Sequence, residues 1–175
     1  LAAIAARSAP AIDAEIGDAL ASVLGWAPNF WRVSFVSALA FPALIVGDVV
    51  LRRRWFLARD LIVVVLVVVA VGSILGRIVD HDWSQAEAHL FSNWGFPELR
   101  LGAAVAVVAV AGPQLVRPAR LASIWLVGAA ALGAVVLGIG LPSQVLGALA
   151  LGLDAGALVR LAFGSAAGVP PTERV

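Results

Sequence analysis

The chain has no cysteine, and so no disulfide, no thiolate metal site and no catalytic thiol. Lysine is missing too: all twelve basic residues are arginine, and the formal net charge is only +1. No long mixed basic stripe exists to follow a nucleic-acid backbone, which sets nucleic acid aside as a partner. Methionine and tyrosine are also absent, while Ala, Val, Gly, Leu and Arg dominate, a composition expected of a GC-rich bacterial genome. Charge of either sign is scarce, at 13% of residues against 62% hydrophobic, with a mean hydropathy of +1.00. Soluble domains carry roughly 25% charged residues, so lipid is the solvent that accounts for the deficit. Nothing near Leu1 reads as a cleavable signal peptide. A chain that opens on Leu is expected to be a piece of a longer protein.

What is present is a series of long apolar runs. A spanning helix needs roughly 20 mostly apolar residues to cross a hydrocarbon layer about 30 Å thick. Residues 33–51, 61–79, 121–141 and 145–163 qualify readily, and 99–116 is a weaker fifth. Ahead of them, Ile12, Ile16, Leu20, Val23 and Leu24 recur at helical spacing, with Asp13, Glu15 and Asp18 on the other side. That pattern predicts an amphipathic helix lying at the bilayer surface and ending at Gly25, followed by Trp26, Phe30 and Trp31 as interfacial anchors. The expected fold is all-α: a polytopic membrane helix bundle of about five transmembrane helices plus this interfacial helix. Three segments follow: 1–31 as an amphipathic extracytoplasmic leader, 32–164 as the bundle, and 165–175 as a cytoplasmic linker.

Arginine-rich short loops are retained in the cytoplasm. The connection LRRRWFLARD carries Arg52, Arg53, Arg54 and Arg59, and alternation puts Arg117 and Arg120 on the same side. The acidic loop 80–98 and the leader then fall outside an inner (plasma) membrane. With five spans and an outer leader, a further span is expected before Leu1.

The segment GAVVLGIGLPSQVLGALALG, 133–152, resembles the third signature of the type-2 phosphatidic acid phosphatase family, whose members cleave lipid phosphates and pyrophosphates. Leu137, Gly138, Pro142, Ser143, Val145, Leu146 and Gly147 match the scaffold of that phrase. At its chemical positions Gly133 stands for Ser, Ala134 for Arg, Gly140 for the nucleophilic His and Gln144 for Asp. In the second signature Pro97 remains, but Glu98, Leu99 and Arg100 replace Ser, Gly and His. In the first, Arg77 stands for Lys, with Ser84 and Gln85 at the Arg-Pro positions. The three places fall at the outer ends of spans two, three and four, where the family builds its site. The resemblance implies a bundle without the imidazoles that attack phosphorus and protonate the leaving group, and hence a non-catalytic relative with no cofactor. It extends to large actinobacterial membrane proteins with kinase-like and lysylphosphatidylglycerol-synthase-like regions. Membrane lipids, other domains of the same polypeptide or a second copy are the implied partners.

The remaining polar residues give a short set of candidates. Arg77 and Arg100, with Glu98 and Gln144, could hold a lipid phosphate bidentately; snorkelling, or pairing with Glu98 or Asp80, accounts for the same arginines. Asp80, His81, Asp82, Glu87 and His89 could bind a divalent ion, but their spacing is no recognised ligand motif and a solvated acidic loop explains them, so no metal is assigned. Asp48 lies four residues before Arg52 and is expected to pair with it. Asp154 sits nearer mid-membrane, where a buried hydrogen bond to a neighbouring helix, or a transport role, would explain it. Gly128, Gly133, Gly138, Gly140, Gly147, Gly152 and Gly156 point to tight helix packing, with a dimer interface or a lipid groove as the alternative. Pro42 and Pro113 are expected to kink or end their helices. Two rival functions remain: a carrier or flippase component using Asp154 and the arginine pair, and an active phosphatase recruiting His81 or His89.

Overall fold

A computed structural model describes residues 10–80 and 95–164, and all regular structure in them is helical. Six α-helices follow one another: α1 (Pro10–Leu24), α2 (Pro28–Leu51), α3 (Trp55–Asp80), α4 (Leu99–Ala111), α5 (Arg117–Val136) and α6 (Pro142–Phe163). Pro28, Pro118 and Pro142 open α2, α5 and α6 in the first turn, where a residue without an N–H and with φ already near the helical value costs nothing. Four helices, α2, α3, α5 and α6, are long and apolar enough to cross a membrane. The leader 1–9, loop 81–94 and tail 165–175 lie outside the described residues.

The fifth expected span is shorter than the sequence implies. Gly112–Gln114 forms a 3-10 turn after thirteen α-helical residues, because Pro113 cannot continue the ladder. At 1.5 Å per residue α4 is about 20 Å long. It needs no greater length, because it is the central helix of the bundle: Leu101, Gly102, Ala104–Val107, Val110 and Ala111 are all buried. α4 and α6 run side by side in parallel, with Gly102, Val105 and Ala109 against Ala148, Gly152 and Gly156. A β-carbon on Gly152 would sit 2.5 Å from the Gly102 carbonyl oxygen, so only glycine permits this approach. The small residues of α6 thus serve packing within the chain. α3 and α2 flank α4 on other sides, whereas α5 leans on α2 and barely touches α6.

The other boundaries follow local chemistry. The turn between α2 and α3 is confined to residues 52–54, with Arg53 at φ 53°, so Arg59 lies inside α3 and not in the loop expected of it. α5 stops at Val136, five residues before the expected end, where Gly138 adopts φ 68° and turns the chain into α6. The helix α2 continues through Pro42.

Two apolar cores fill the bundle. At the end carrying residues 52–54, Leu61, Val64, Val68, Ala106, Val110 and Val159 pack together; at the opposite end, Phe35, Leu101, Ala134, Ile139 and Ala148 do so. The second end is covered by α1, but by a different face from the one the sequence implied. Asp13, Gly17 and Leu20 turn inward onto α5 and α6, while Ile12, Ile16 and Val23 are exposed. Among the aromatic residues that follow, Trp26 and Phe30 are exposed as anchors should be. Trp31 is buried instead, its Nε1–H donating to the Leu24 carbonyl at 2.8 Å and its side chain lying against Gly133. Periodicity identified the helix; which stripe is covered depended on its neighbours.

Candidate functional site

Six polar or turn residues, from α1, the start of α4 and the turn leading into α6, converge at the end covered by α1. Glu98 precedes α4, its backbone N–H donating to the Gln144 carbonyl at 3.3 Å. Its side chain is only 1% exposed, with Oε1 accepting a short hydrogen bond from Arg100 Nε. The other oxygen, Oε2, is buried with no hydrogen-bond partner. Burial pushes the Glu98 carboxyl above the ordinary carboxylate range, against the opposing pull of Arg100. Arg100 is itself 8% exposed in its side chain and holds its guanidinium 5.5 Å from the centre of the Phe35 ring, a cation–π distance.

At the start of α6, Gln144 folds back so that its Oε1 accepts the Leu141 N–H at 2.8 Å, satisfying one of the amides a helix leaves unpaired at its beginning. A second is satisfied from outside the helix. Asp13 of α1 accepts the Ser143 N–H at 3.0 Å and the Ser143 hydroxyl at 2.5 Å, with both side chains buried. A carboxylate at a helix N-terminus also meets the positive end of the helix dipole. Asp13 was expected on the water-facing side of its helix; it is buried because this pairing compensates its charge.

Gly140 borders the cluster. A β-carbon there would lie 3.4 Å from Gln144 Oε1 and 4.0 Å from Glu98 Cγ. The chain therefore brings Glu98, Arg100, Gly140 and Gln144 into one neighbourhood, although they are scattered over 98–144 in sequence. Gly133 faces Trp31 instead, and Ala134 is fully buried with its carbonyl accepting the Ile139 and Gly140 N–H groups. Arg77 is exposed in the last turn of α3, next to Gly76, whose backbone abuts the Phe96 carbonyl. Chemically the cluster is a set of structural bonds. Its carboxylates are held by a guanidinium or by helix-end donors, its amide closes a turn, and its hydroxyl donates to Asp13. His81, Asp82, Ser84, Gln85, Glu87 and His89 lie outside the described residues, as does the Asp80 side chain. Among the described residues no group of three or more metal-ligating side chains occurs.

Two intramembrane carboxylates behave differently from each other. Asp48 pairs with Arg52 at 2.7 Å, four residues on, as its spacing predicts. Asp154 does not find the buried hydrogen bond expected of it: it is exposed on the surface of α6, in a cleft of about 380 Å³ against Val67, Val71 and Leu75 of α3. A third, Asp60, drew no attention in the sequence because it sits in an arginine-rich stretch. It is buried and bonded to Arg59 at 2.9 Å, while Arg59 also lies 4.4 Å from the ring centre of Phe163. Compared with protein-family models, with curated proteins and with solved structures, the chain matches none.

Proposed function

We propose that this chain is a non-catalytic integral membrane domain, built on a plan like that of the type-2 phosphatidic acid phosphatases and serving as an assembly module of a larger membrane protein. The observation that carries the proposal is the occupation of the cluster. Gly140 stands where the resembled family has its nucleophile and has no side chain, and Gln144 and Arg100 are engaged in holding Leu141 and Glu98. No imidazole of the described residues remains to attack phosphorus or to protonate a leaving oxygen. The arginines of 52–54, with Arg117 and Arg120, favour the cytoplasm for their end of the bundle, and the α1 end then faces outward from the plasma membrane. Assembly is supported by Asp154, whose carboxylate stands mid-membrane on an apolar face, about 18 Å from the Pro142 end of α6 at 1.5 Å per residue.

The catalytic half is tested by phosphate release from phosphatidic acid and from a polyprenyl pyrophosphate with the purified chain. Release is expected to stay at the level of the detergent blank. Turnover that disappears in a His81→Ala/His89→Ala double variant would establish the rival, a phosphatase with an unconventional site. The assembly half is tested in vesicles with a polyleucine transmembrane peptide carrying one central Arg. Energy transfer to the labelled chain should exceed that of the all-leucine peptide and fall in Asp154→Asn; equal transfer to both peptides would reject Asp154 as an assembly contact.

A second reading, binding of a lipid phosphate at the α1 end, is favoured by the exposure of Arg77 in the last turn of α3, where Gly76 abuts Phe96. Arg77→Gln should then weaken retention of phosphatidic acid by the purified chain, and unchanged retention would remove this reading.

A further inference from the structure

The opposite end of the bundle holds a feature unrelated to the cluster. Because α5 leans on α2 and hardly touches α6, a cleft of about 450 Å³ stays open between α4, α5 and α6. This is within the roughly 300–1,000 Å³ range of small-molecule sites. Its walls are apolar, with Val105, Val108, Ile124, Val127 and Leu153 among them. Arg120, in the second turn of α5, and Arg160, in the last turn of α6, close the membrane-surface end.

Three properties of this cleft point to one kind of occupant. First, both arginines are exposed, and neither makes an ion pair with any described carboxylate. Asp48 and Asp60, the carboxylates of that end, are engaged by Arg52 and Arg59. Among the described residues, the cleft therefore presents two guanidinium groups and no acid. Second, the wall formed by α6 runs from Leu149 to Arg160, ~16 Å of helix, which matches the ~15 Å of a single bilayer leaflet. Third, a second cleft, which shares Leu149 with the first and is lined by Trp125, Leu132 and Leu146, has no charged residue. The cations are confined to the headgroup level.

We infer that this cleft binds one anionic phospholipid, its phosphate held by Arg120 and Arg160 and an acyl chain laid along Val105, Val127 and Leu153. A phosphodiester offers the oxygen geometry that guanidinium groups bind best, and the apolar walls require a tail that a soluble phosphate lacks. Basic pockets between spanning helices are suited to such headgroups. The site lies at the other end of the bundle from Glu98, Arg100 and Gln144, so it stands whether or not the proposed function does.

Native mass spectrometry of the purified chain in micelles tests it, with dioleoyl phosphatidylglycerol and dioleoyl phosphatidylcholine as probes. Phosphatidylglycerol should be retained about ten-fold more strongly, and Arg120→Gln/Arg160→Gln should abolish that preference. Arg53→Gln/Arg117→Gln, which removes two charges of the same end from outside the cleft, should leave it intact. Ala157→Trp, which fills the cleft and keeps both charges, should reduce retention of the lipid. An equal loss in both arginine pairs would mean diffuse surface attraction and would overturn the site. So would competition by glycerol 3-phosphate at concentrations similar to the lipid, which would show that the tail contributes nothing, or unchanged retention in Ala157→Trp.

Discussion

Asp13 and Ser143 are 130 residues apart in sequence, yet one carboxylate accepts both the amide and the hydroxyl proton of that serine. Through this contact a helix outside the membrane-spanning set fixes the first turn of α6. Asp13→Ala leaves two buried donors without an acceptor and should destabilise the domain by about 1–3 kcal/mol. Ser143→Ala keeps the amide bond and should cost about 1 kcal/mol. Thermal unfolding in micelles gives the magnitudes, and hydrogen exchange should show α1 amides losing protection before those of α4. Uniform exchange in the Asp13 variant would mean that α1 is held by its apolar contacts alone.

Glu98 and Arg100 form a buried pair at the entrance to the central helix. Glu98→Ala removes the carboxylate that pairs with the buried guanidinium of Arg100 and should cost about 3–5 kcal/mol. Replacing both by leucine should recover most of that loss, since an apolar pair of similar volume avoids the desolvation of two charges. A double-mutant cycle on unfolding free energy measures the coupling. Additive losses would show that the two side chains do not act on one another.

For Asp154 the expectation runs the other way. An exposed mid-membrane carboxylate costs on the order of 3 kcal/mol on insertion scales, so Asp154→Leu should be neutral or stabilising for the isolated chain in vesicles. A strong loss of stability would reveal an internal partner for this carboxylate.

The turn at 52–54 supplies a fourth test. Arg53 has φ 53°, in the left-handed region that costs a non-glycine residue on the order of 1 kcal/mol. Arg53→Gly should therefore raise the melting temperature slightly, whereas a fall would mean that the arginine side chain contributes more than the backbone strain costs.

Much of this architecture can be read from the sequence, because the length of an apolar run is a direct statement about a bilayer. The long spans, the Asp48–Arg52 pair and the end of α1 at Gly25 all follow from spacing and local chemistry. Burial was another matter, and Asp13 and Asp154 show why. Asp13 was expected in water and is buried; Asp154 was expected to be buried and is exposed. In water an apolar stripe marks the core, but a helix in lipid gains nothing by hiding leucine from one apolar medium in another. Polarity thus loses its power to indicate the inside. The neighbourhood of Glu98, Gly140 and Gln144 was an expectation of the family resemblance alone, whereas the Asp13 contribution carried no sequence signal.

The short central helix has a consequence for the lipid around the domain. α2, α3, α5 and α6 carry the long apolar surfaces and can answer a thicker or thinner bilayer by tilting. α4, wedged against α6 by glycine-sized contacts, has no spare turn with which to follow them. A change in membrane thickness must then be taken up as sliding of the outer helices around a fixed axle, and it will be felt first at the seam between α5 and α6, which barely touch.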